Sequence, residues 1–310
     1  MHLLVELVLL VIGFVMLIKG ADIFVEGAAG IAAKFGIPQL VIGLTIVAMG
    51  TSAPEAAVSI TAAMKGTADI TVGNVVGSNI LNILIILGVT AVIVAVEVQK
   101  TTIRYEIPFV AVVTIALLVM GMTDGVIGHL DGVIFWILFI VYLAYLFVIA
   151  KKGKSEDEEV QDEPVWKLLV FIVLGAVLII WGADISVDAA TEIAREIGLS
   201  ERFIGLTIVA LGTSLPELCT SVVAARKGKA DLAIGNIVGS NIFNILFVIG
   251  TTALIVPVSF QPAFIIDTLV ALAAAVMLWV CVFPKKKLTR LGGVVMLVSY
   301  AGYLAYLMIK

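Results

Sequence analysis

A block of 41 residues occurs twice in this chain. GLTIVAMGTSAPEAAVSITAAMKGTADITVGNVVGSNILNI, residues 43–83, lies over GLTIVALGTSLPELCTSVVAARKGKADLAIGNIVGSNIFNI, residues 205–245, at a constant shift of 162 without a gap, and 27 of the 41 positions are identical. The shorter GADI at 20–23 recurs at 182–185 on the same shift. Duplication on this scale makes each half one structural unit, so the fold must come from packing two copies of that unit.

Both copies are embedded in apolar sequence. With 62% hydrophobic and 14% charged residues and a mean hydropathy of +1.20, the chain lies outside the soluble range of about half apolar and a quarter charged. Ten stretches are long enough to cross a hydrocarbon core of about 30 Å as helices rising about 1.5 Å per residue. They cover 3–18, 38–64, 70–96, 105–122, 130–150, 165–183, 203–225, 231–256, 262–283 and 289–308. The first lacks a basic start and a small-residue cleavage site, which marks a retained helix, and the Gly/Ala-rich stretch after it can extend it, tilted, towards Lys34. The expected fold is an all-α integral membrane protein with ten transmembrane helices.

Ten spans divide into five and five. Residues 1–150 and 165–310 form the two repeats, and 151–164, KKGKSEDEEVQDEP, is polar, charged and short, a cytoplasmic linker. Its acids lack EF-hand-like spacing. Because five is odd, the second repeat enters the membrane from the opposite side, and a two-fold axis in the membrane plane would bring GTSAPE and GTSLPE face to face near the midplane. With the N-terminus outside, fourteen of the nineteen Lys and Arg fall in inside connections, four fall outside and Lys19 lies within the first helix. The positive-inside rule therefore places both termini outside, in a cell membrane. Cys219 and Cys281 lie in different spans and offer neither metal nor disulfide spacing.

The hexapeptides GTSAPE (50–55) and GTSLPE (212–217) put a carboxylate and a helix breaker inside these spans. Glu55 stands ten residues from the next charge, Lys65, and Glu217 nine from Arg226, roughly half of a membrane core in helical rise. Ionisable groups at that depth cost several kcal/mol, about 3 on insertion scales, unless paired or bound to an ion. No cation on the same span is close enough to pair with them. Pro54 and Pro216 have no N–H for the carbonyls of Gly50 and Gly212, so each helix opens just before its glutamate. Freed carbonyls, and the oxygens of Thr51, Ser52, Thr213 and Ser214, become available as ligands.

The following span of each repeat carries GNVVGSNILN or GNIVGSNIFN. Ser78 and Asn82 lie nine and thirteen residues beyond Asp69, as Ser240 and Asn244 do beyond Asp231, which puts all four near the depth of the glutamates. A spacing of four puts Ser78 with Asn82, and Ser240 with Asn244, on one helix face. Asn79 and Asn241 must then point elsewhere, towards backbone. Two carboxylates with amide, hydroxyl and backbone oxygens, and no sulfur or imidazole, are a ligand set for a hard cation such as Ca2+. They balance one Ca2+, or two Na+ with a third held by neutral oxygens. Small polar residues also serve as glue between membrane helices, and Gly and Pro as plain kinks. What raises the glutamates above that reading is their depth and their duplicated proline context. Asp22, Asp184 and Glu26 read as interfacial or packed residues, or as the lining of an access path. His129 reads as a surface residue of an outer loop, and Asp267 as an unremarkable acid at a span end.

At this point the motifs resemble the alpha repeats of the cation/Ca2+ exchanger superfamily, most closely its prokaryotic sodium/calcium exchangers. The resemblance covers essentially the whole chain. It implies inverted five-helix repeats with broken second, third, seventh and eighth helices around the ions, and long first and sixth helices that slide across this core. It further implies that Glu55 and Glu217 coordinate Ca2+ with the carbonyls of Thr51 and Thr213. Na+ would use the same glutamates with Ser52, Ser78, Ser214, Ser240 and the carbonyls of Ala48 and Ala210, while Asn82 and Asn244 line the central position. K+-dependent members carry an aspartate in this region, so asparagine at both positions argues against K+ dependence. Proton/calcium exchangers carry an acid after their GNxx motif where this chain has Gly77 and Gly239.

The expected function is electrogenic exchange of several Na+ for one Ca2+ by alternating access, normally expelling Ca2+. Two other readings compete with it: an antiporter of H+ and Ca2+ or another divalent cation, and a cation channel, which opposed carboxylates on inverted repeats suit less well. No nucleophile has a positioned base or metal cluster beside it, which argues against an enzyme. The expected partners are the transported Ca2+ and Na+ and the lipid bilayer, with no cofactor, nucleic acid or obligate protein partner.

Overall fold

In the computed structural model, residues 2–66, 68, 70–152, 163–198 and 210–309 are described. Apart from two short ribbons they are helical. In chain order the elements are α1 (His2–Phe35), α2 (Gln39–Thr51), α3 (Ala53–Met64), α4 (Ile70–Ile93), α5 (Thr102–Asp124) and α6 (His129–Lys152), then α7 (Val165–Glu196), α8 (Ala210–Gly212), α9 (Leu215–Arg226), α10 (Ala230–Ile255), α11 (Pro262–Val282) and α12 (Arg290–Ile309). The strands are β1 (Val96–Glu97), β2 (Val126–Ile127), β3 (Val258–Ser259) and β4 (Lys287–Leu288). Among the described residues eight helices are long and apolar enough to cross a membrane, or nine with the bent pair α2 and α3. The predicted span 203–225 begins in 203–209, outside the described residues, as do most of the linker 151–164 and the depth marker Asp69.

α1 is continuous to Phe35, in line with the expected extension towards Lys34, whereas α7 runs to Glu196, well past the predicted end at 183. Hydropathy fades after each GADI, but the helices continue because they pack on each other through glycine. A Cβ added at Gly20 would lie 2.9 Å from the Ile179 nitrogen and 3.0 Å from the Gly175 carbonyl, and one added at Gly182 would lie 2.8 Å from the Gly13 carbonyl. Gly13 and Gly20 map onto Gly175 and Gly182 at the shift of 162, so the seam is made of the same two positions from both copies. Away from it, Leu4, Val11, Val173 and Trp181 are exposed, a lateral surface that suits lipid and not water.

The core lies elsewhere. α10 is almost wholly buried and α4 largely so, and α10 meets α2 backbone to backbone, a Cβ on Gly235 falling 3.0 Å from the Cα of Gly43. Small residues at such crossings let membrane helices approach closely. The ribbons repeat the duplication. β1 pairs antiparallel with β4, and β2 with β3, with Val96 opposite Leu288 and Val126 opposite Ser259. At a shift of 162 residues 96–97 become 258–259, so exchanging the halves carries one ribbon onto the other to within a residue.

Candidate cation-binding site

The two hexapeptides break their helices as proline dictates. α2 and α3 meet at 50°, Ser52 leaves the helical region at φ −83°, ψ 7°, and Pro54 stands in the first turn of α3. Ser214 does the same at φ −93°, ψ 3°, ahead of Pro216 in α9. The expected breaks in the third and eighth spans take another form. α4 and α10 are continuous, each with a π-helical stretch beginning at a predicted site residue, Asn82–Leu87 and Asn244–Ile249. A π stretch inserts one residue without severing the helix, a device common at functional sites, and no proline is present there to open it.

These four elements bring the expected residues together. Glu55 and Glu217 are wholly buried and lie within electrostatic reach of each other. Ser52 Oγ donates across the halves to Glu217 Oε1 at 2.9 Å, and Ser78 Oγ donates to Glu55 Oε1 at 3.3 Å. The Thr213 side chain reaches Glu55, and that of Thr51 reaches Glu217. The Ala48 carbonyl accepts from Ser240 Oγ and Thr51 Oγ1, each at 3.4 Å, so Ser240 is held to backbone and not to a carboxylate. Ala210 opens α8; of it only the backbone is described.

Four asparagines close the centre. Asn79 Nδ2 donates to the Asn241 carbonyl at 3.1 Å, and Asn241 Nδ2 to the Asn79 carbonyl at 3.3 Å. Asn82 Nδ2 donates to Asn241 Oδ1 at 3.0 Å, and Asn244 Nδ2 to Asn79 Oδ1 at 3.2 Å. Asn79 and Asn241 thus do turn to backbone, each to that of its duplicate in the other half. With the amide nitrogens of Asn82 and Asn244 turned to these bonds, no donor reaches their Oδ1 atoms.

Five buried oxygens of predicted ligands have no hydrogen-bond partner: Glu55 Oε2, Glu217 Oε2, Asn82 Oδ1, Asn244 Oδ1 and Ser214 Oγ. Buried polar atoms are nearly always satisfied, and leaving them bare costs about 1–3 kcal/mol each. Four of the five can only accept, so what completes them is a donor or a cation. Among the described residues no three His, Cys, Asp or Glu side chains converge on a metal-sized point, so the site depends on neutral oxygens to supplement its two carboxylates. That composition suits a weakly held, exchangeable hard ion better than a permanently bound transition metal.

Sequence reasoning missed two supports and one acid. Asn236 Nδ2 bonds Ser221 Oγ at 3.0 Å and the Glu217 carbonyl at 3.4 Å, while its Oδ1 accepts from Thr51 Oγ1 at 2.9 Å. Asn74 bonds Ser59 Oγ at 2.9 Å and the Glu55 carbonyl at 3.2 Å. The signal was present in the duplicated Gly-Asn that opens each second motif. Glu106, buried near the start of α5, accepts from Tyr145. Lys227 pairs with Asp22 at 2.6 Å and approaches Glu26 at 3.9 Å, whereas Asp184 is exposed. His129 is exposed, as expected of a surface residue, with Nδ1 2.8 Å from the Ala253 carbonyl. Asp267 accepts from Tyr303 at 2.9 Å.

Comparison with known proteins gives concordant results. The sequence profile of the family described as sodium/calcium exchanger protein matches residues 5–148 and 167–309. The putative antiporter CaxA of Alkalimonas amylolytica is 40% identical over 97% of this chain and 98% of its own length. The sodium/calcium exchanger MaX1 of Methanosarcina acetivorans is 31% identical over 98% of each. A structure of the sodium-calcium exchanger NCX_Mj soaked with zero Na+ and Ca2+ superposes with a TM-score of 0.85 at 31% identity, covering 98% of this chain and 99% of that one.

Proposed function

From the premise that the chain belongs to the sodium/calcium exchanger protein family, membrane cation antiporters, we infer that it exchanges Na+ for Ca2+ across a cell membrane. The observation that carries this reading is the set of five bare, buried oxygens on Glu55, Glu217, Asn82, Asn244 and Ser214. In this reading the two carboxylates balance one Ca2+, joined by the carbonyls of Thr51 and Thr213. Na+ uses the same glutamates with Ser52, Ser78, Ser214, Ser240 and the carbonyls of Ala48 and Ala210. Asn82 and Asn244 line the centre.

Exchange follows from charge. An empty pair of carboxylates resists enclosure in low dielectric, whereas a loaded pair does not, so the protein interconverts mainly when occupied and one load must replace another. Three Na+ against one Ca2+ moves net charge, which makes transport electrogenic. The architecture we assign is two inverted five-helix repeats, 1–150 and 165–310, joined by a cytoplasmic linker at 151–164, with both termini outside. Its support is the shift of 162 and the reciprocal asparagine bonds. In this arrangement α1 and α7 move as a pair across the core, on the glycine seam.

The test is uptake of radiolabelled Ca2+ into proteoliposomes under an outward gradient of Na+, K+ or H+. Uptake driven by Na+, and accelerated by a membrane potential that opposes Na+ retention inside, is the expected result. Uptake driven by H+ and indifferent to Na+ overturns the coupling. Equilibration with no counter-gradient makes the protein a channel.

A further inference from the structure

Three cations border one cavity at the start of α5. Lys100, just before α5, Arg104 in its first turn and Lys286 in the turn after α11 line one cavity of about 410 Å3 with Trp279 and Phe283. No Asp or Glu borders it, and none of the three forms an ion pair among the described residues. Lys286 is also the one non-glycine among the described residues with a positive φ, 50°. Its carbonyl accepts from the Val98 nitrogen at 2.9 Å, so the β1–β4 ribbon holds that lysine in a left-handed turn that few side chains adopt.

A second cavity of about 370 Å3 shares Arg104 and Pro108 with the first. It continues along α5 past Phe109 and Val112 to Val141 on α6. From Arg104 to Val112 is about 12 Å of helix, and Val112 and Val141 are both exposed. Glu106 is the only acid on its border, and its carboxylate accepts from Tyr145. One cavity is therefore cationic and lies at the start of a membrane span; the other is apolar and runs into the span.

We propose that the joined cavities bind one anionic phospholipid, its phosphate held by Lys100, Arg104 and Lys286 and an acyl chain lying along Pro108, Phe109 and Val112. The charge selects the ligand. Three unpaired cations attract an anionic headgroup, as basic pockets between membrane helices do, and the guanidinium of Arg104 suits a phosphate. The aromatic pair Trp279 and Phe283, ring centroids 4.8 Å apart, belongs at the headgroup level. Trp279 Nε1 is spent on the Ile103 carbonyl at 2.9 Å, which ties α11 to α5 and fixes the wall of the site.

The experiment is native mass spectrometry of the purified full-length chain titrated with phosphatidylglycerol, with phosphatidylcholine of the same acyl chains, and with inorganic phosphate. The wild type should retain phosphatidylglycerol at least about ten-fold more tightly than phosphatidylcholine. Each lost cation should weaken it about five-fold and K100Q/R104Q/K286Q together about a hundred-fold. V112W, which fills the apolar cavity, should also weaken it, and phosphate alone should not displace it. A control of equal charge change, K151Q/K152Q/K167Q, should bind as the wild type does. Equal retention of the two lipids, unchanged retention in the triple variant, equal loss in the control, or displacement by phosphate each overturns the proposal. Should the triple variant fail to fold, the single changes R104Q and K286Q carry the same test at about five-fold each.

Discussion

Replacing Glu217 by glutamine keeps the shape of the side chain and removes one of the two buried charges. Glu217 Oε1 accepts the 2.9 Å bond from Ser52, and Oε2 is bare. An amide has one acceptor atom and one donor atom for those two positions. If its oxygen keeps the Ser52 bond, its NH2 stands where Oε2 stood and presents hydrogens to the cation. If it turns, Ser52 loses its acceptor inside the protein. Removing one member of a buried charge pairing costs about 3–5 kcal/mol, which at about 1.4 kcal/mol per ten-fold is two to nearly four powers of ten in affinity. Glu55→Gln loses the same charge, but its Ser78 bond is longer, 3.3 Å, and is given up more easily. The expected ordering is a loss of about a hundred-fold in Ca2+ affinity for Glu55→Gln and about a thousand-fold or more for Glu217→Gln. Titration calorimetry on the purified variants, with radiolabelled Ca2+ uptake over a range of Ca2+ concentrations, measures both. An affinity within about three-fold of wild type in either variant refutes the reasoning, because no neutral rearrangement of the site recovers a full charge.

Further consequences follow from the supports around that pair. Asn236→Ala removes the 2.9 Å acceptor of Thr51 and the 3.0 Å donor to the buried Ser221 hydroxyl, so melting in detergent should show a loss of about 1–3 kcal/mol; an unchanged melting temperature would refute the bracing role. Gly20→Ala and Gly182→Ala drive a methyl group into helix backbone across the α1–α7 seam, which should destabilise by about 1–3 kcal/mol and slow uptake at saturating Ca2+. Lys227 and Asp22 are each about one-third to two-fifths exposed, so a double-mutant cycle between Lys227→Gln and Asp22→Asn should yield no more than about 1 kcal/mol. About 1 M salt should remove most of it, since screening then acts within about 3 Å.

Much of this was legible because duplication and membrane depth are both one-dimensional properties. A shift of 162 can be read off a string, and so can the distance from Glu55 to the next charge. What a string does not carry is which way a side chain turns once two helices have met. The extension of α7 beyond 183 was hidden because apolarity ends there while the helix continues packed on α1, Ser186 lying against Gly13. Asn74 and Asn236 stood in plain view inside the duplicated motif. Their partners Ser59 and Ser221 lie fifteen residues away on another helix, a separation that no helical period predicts. Glu106 was missed because a lone acid near the end of a predicted span looks interfacial until Tyr145 closes over it.

Asn79 and Asn241 show where the two kinds of information meet. A residue and its duplicate are equivalent, but equivalent residues touch only where the two copies meet each other. The reciprocal bonds between these asparagines, at a separation of 162, mark that place. Next to them, Asn82 and Asn244 spend their amide nitrogens on the opposite copy. Each copy therefore orients the other's free oxygens, and neither half alone can form the site. That dependence supplies a physical reason for both copies to keep the motif: a change to either asparagine of the central pair disturbs free oxygens contributed by both halves.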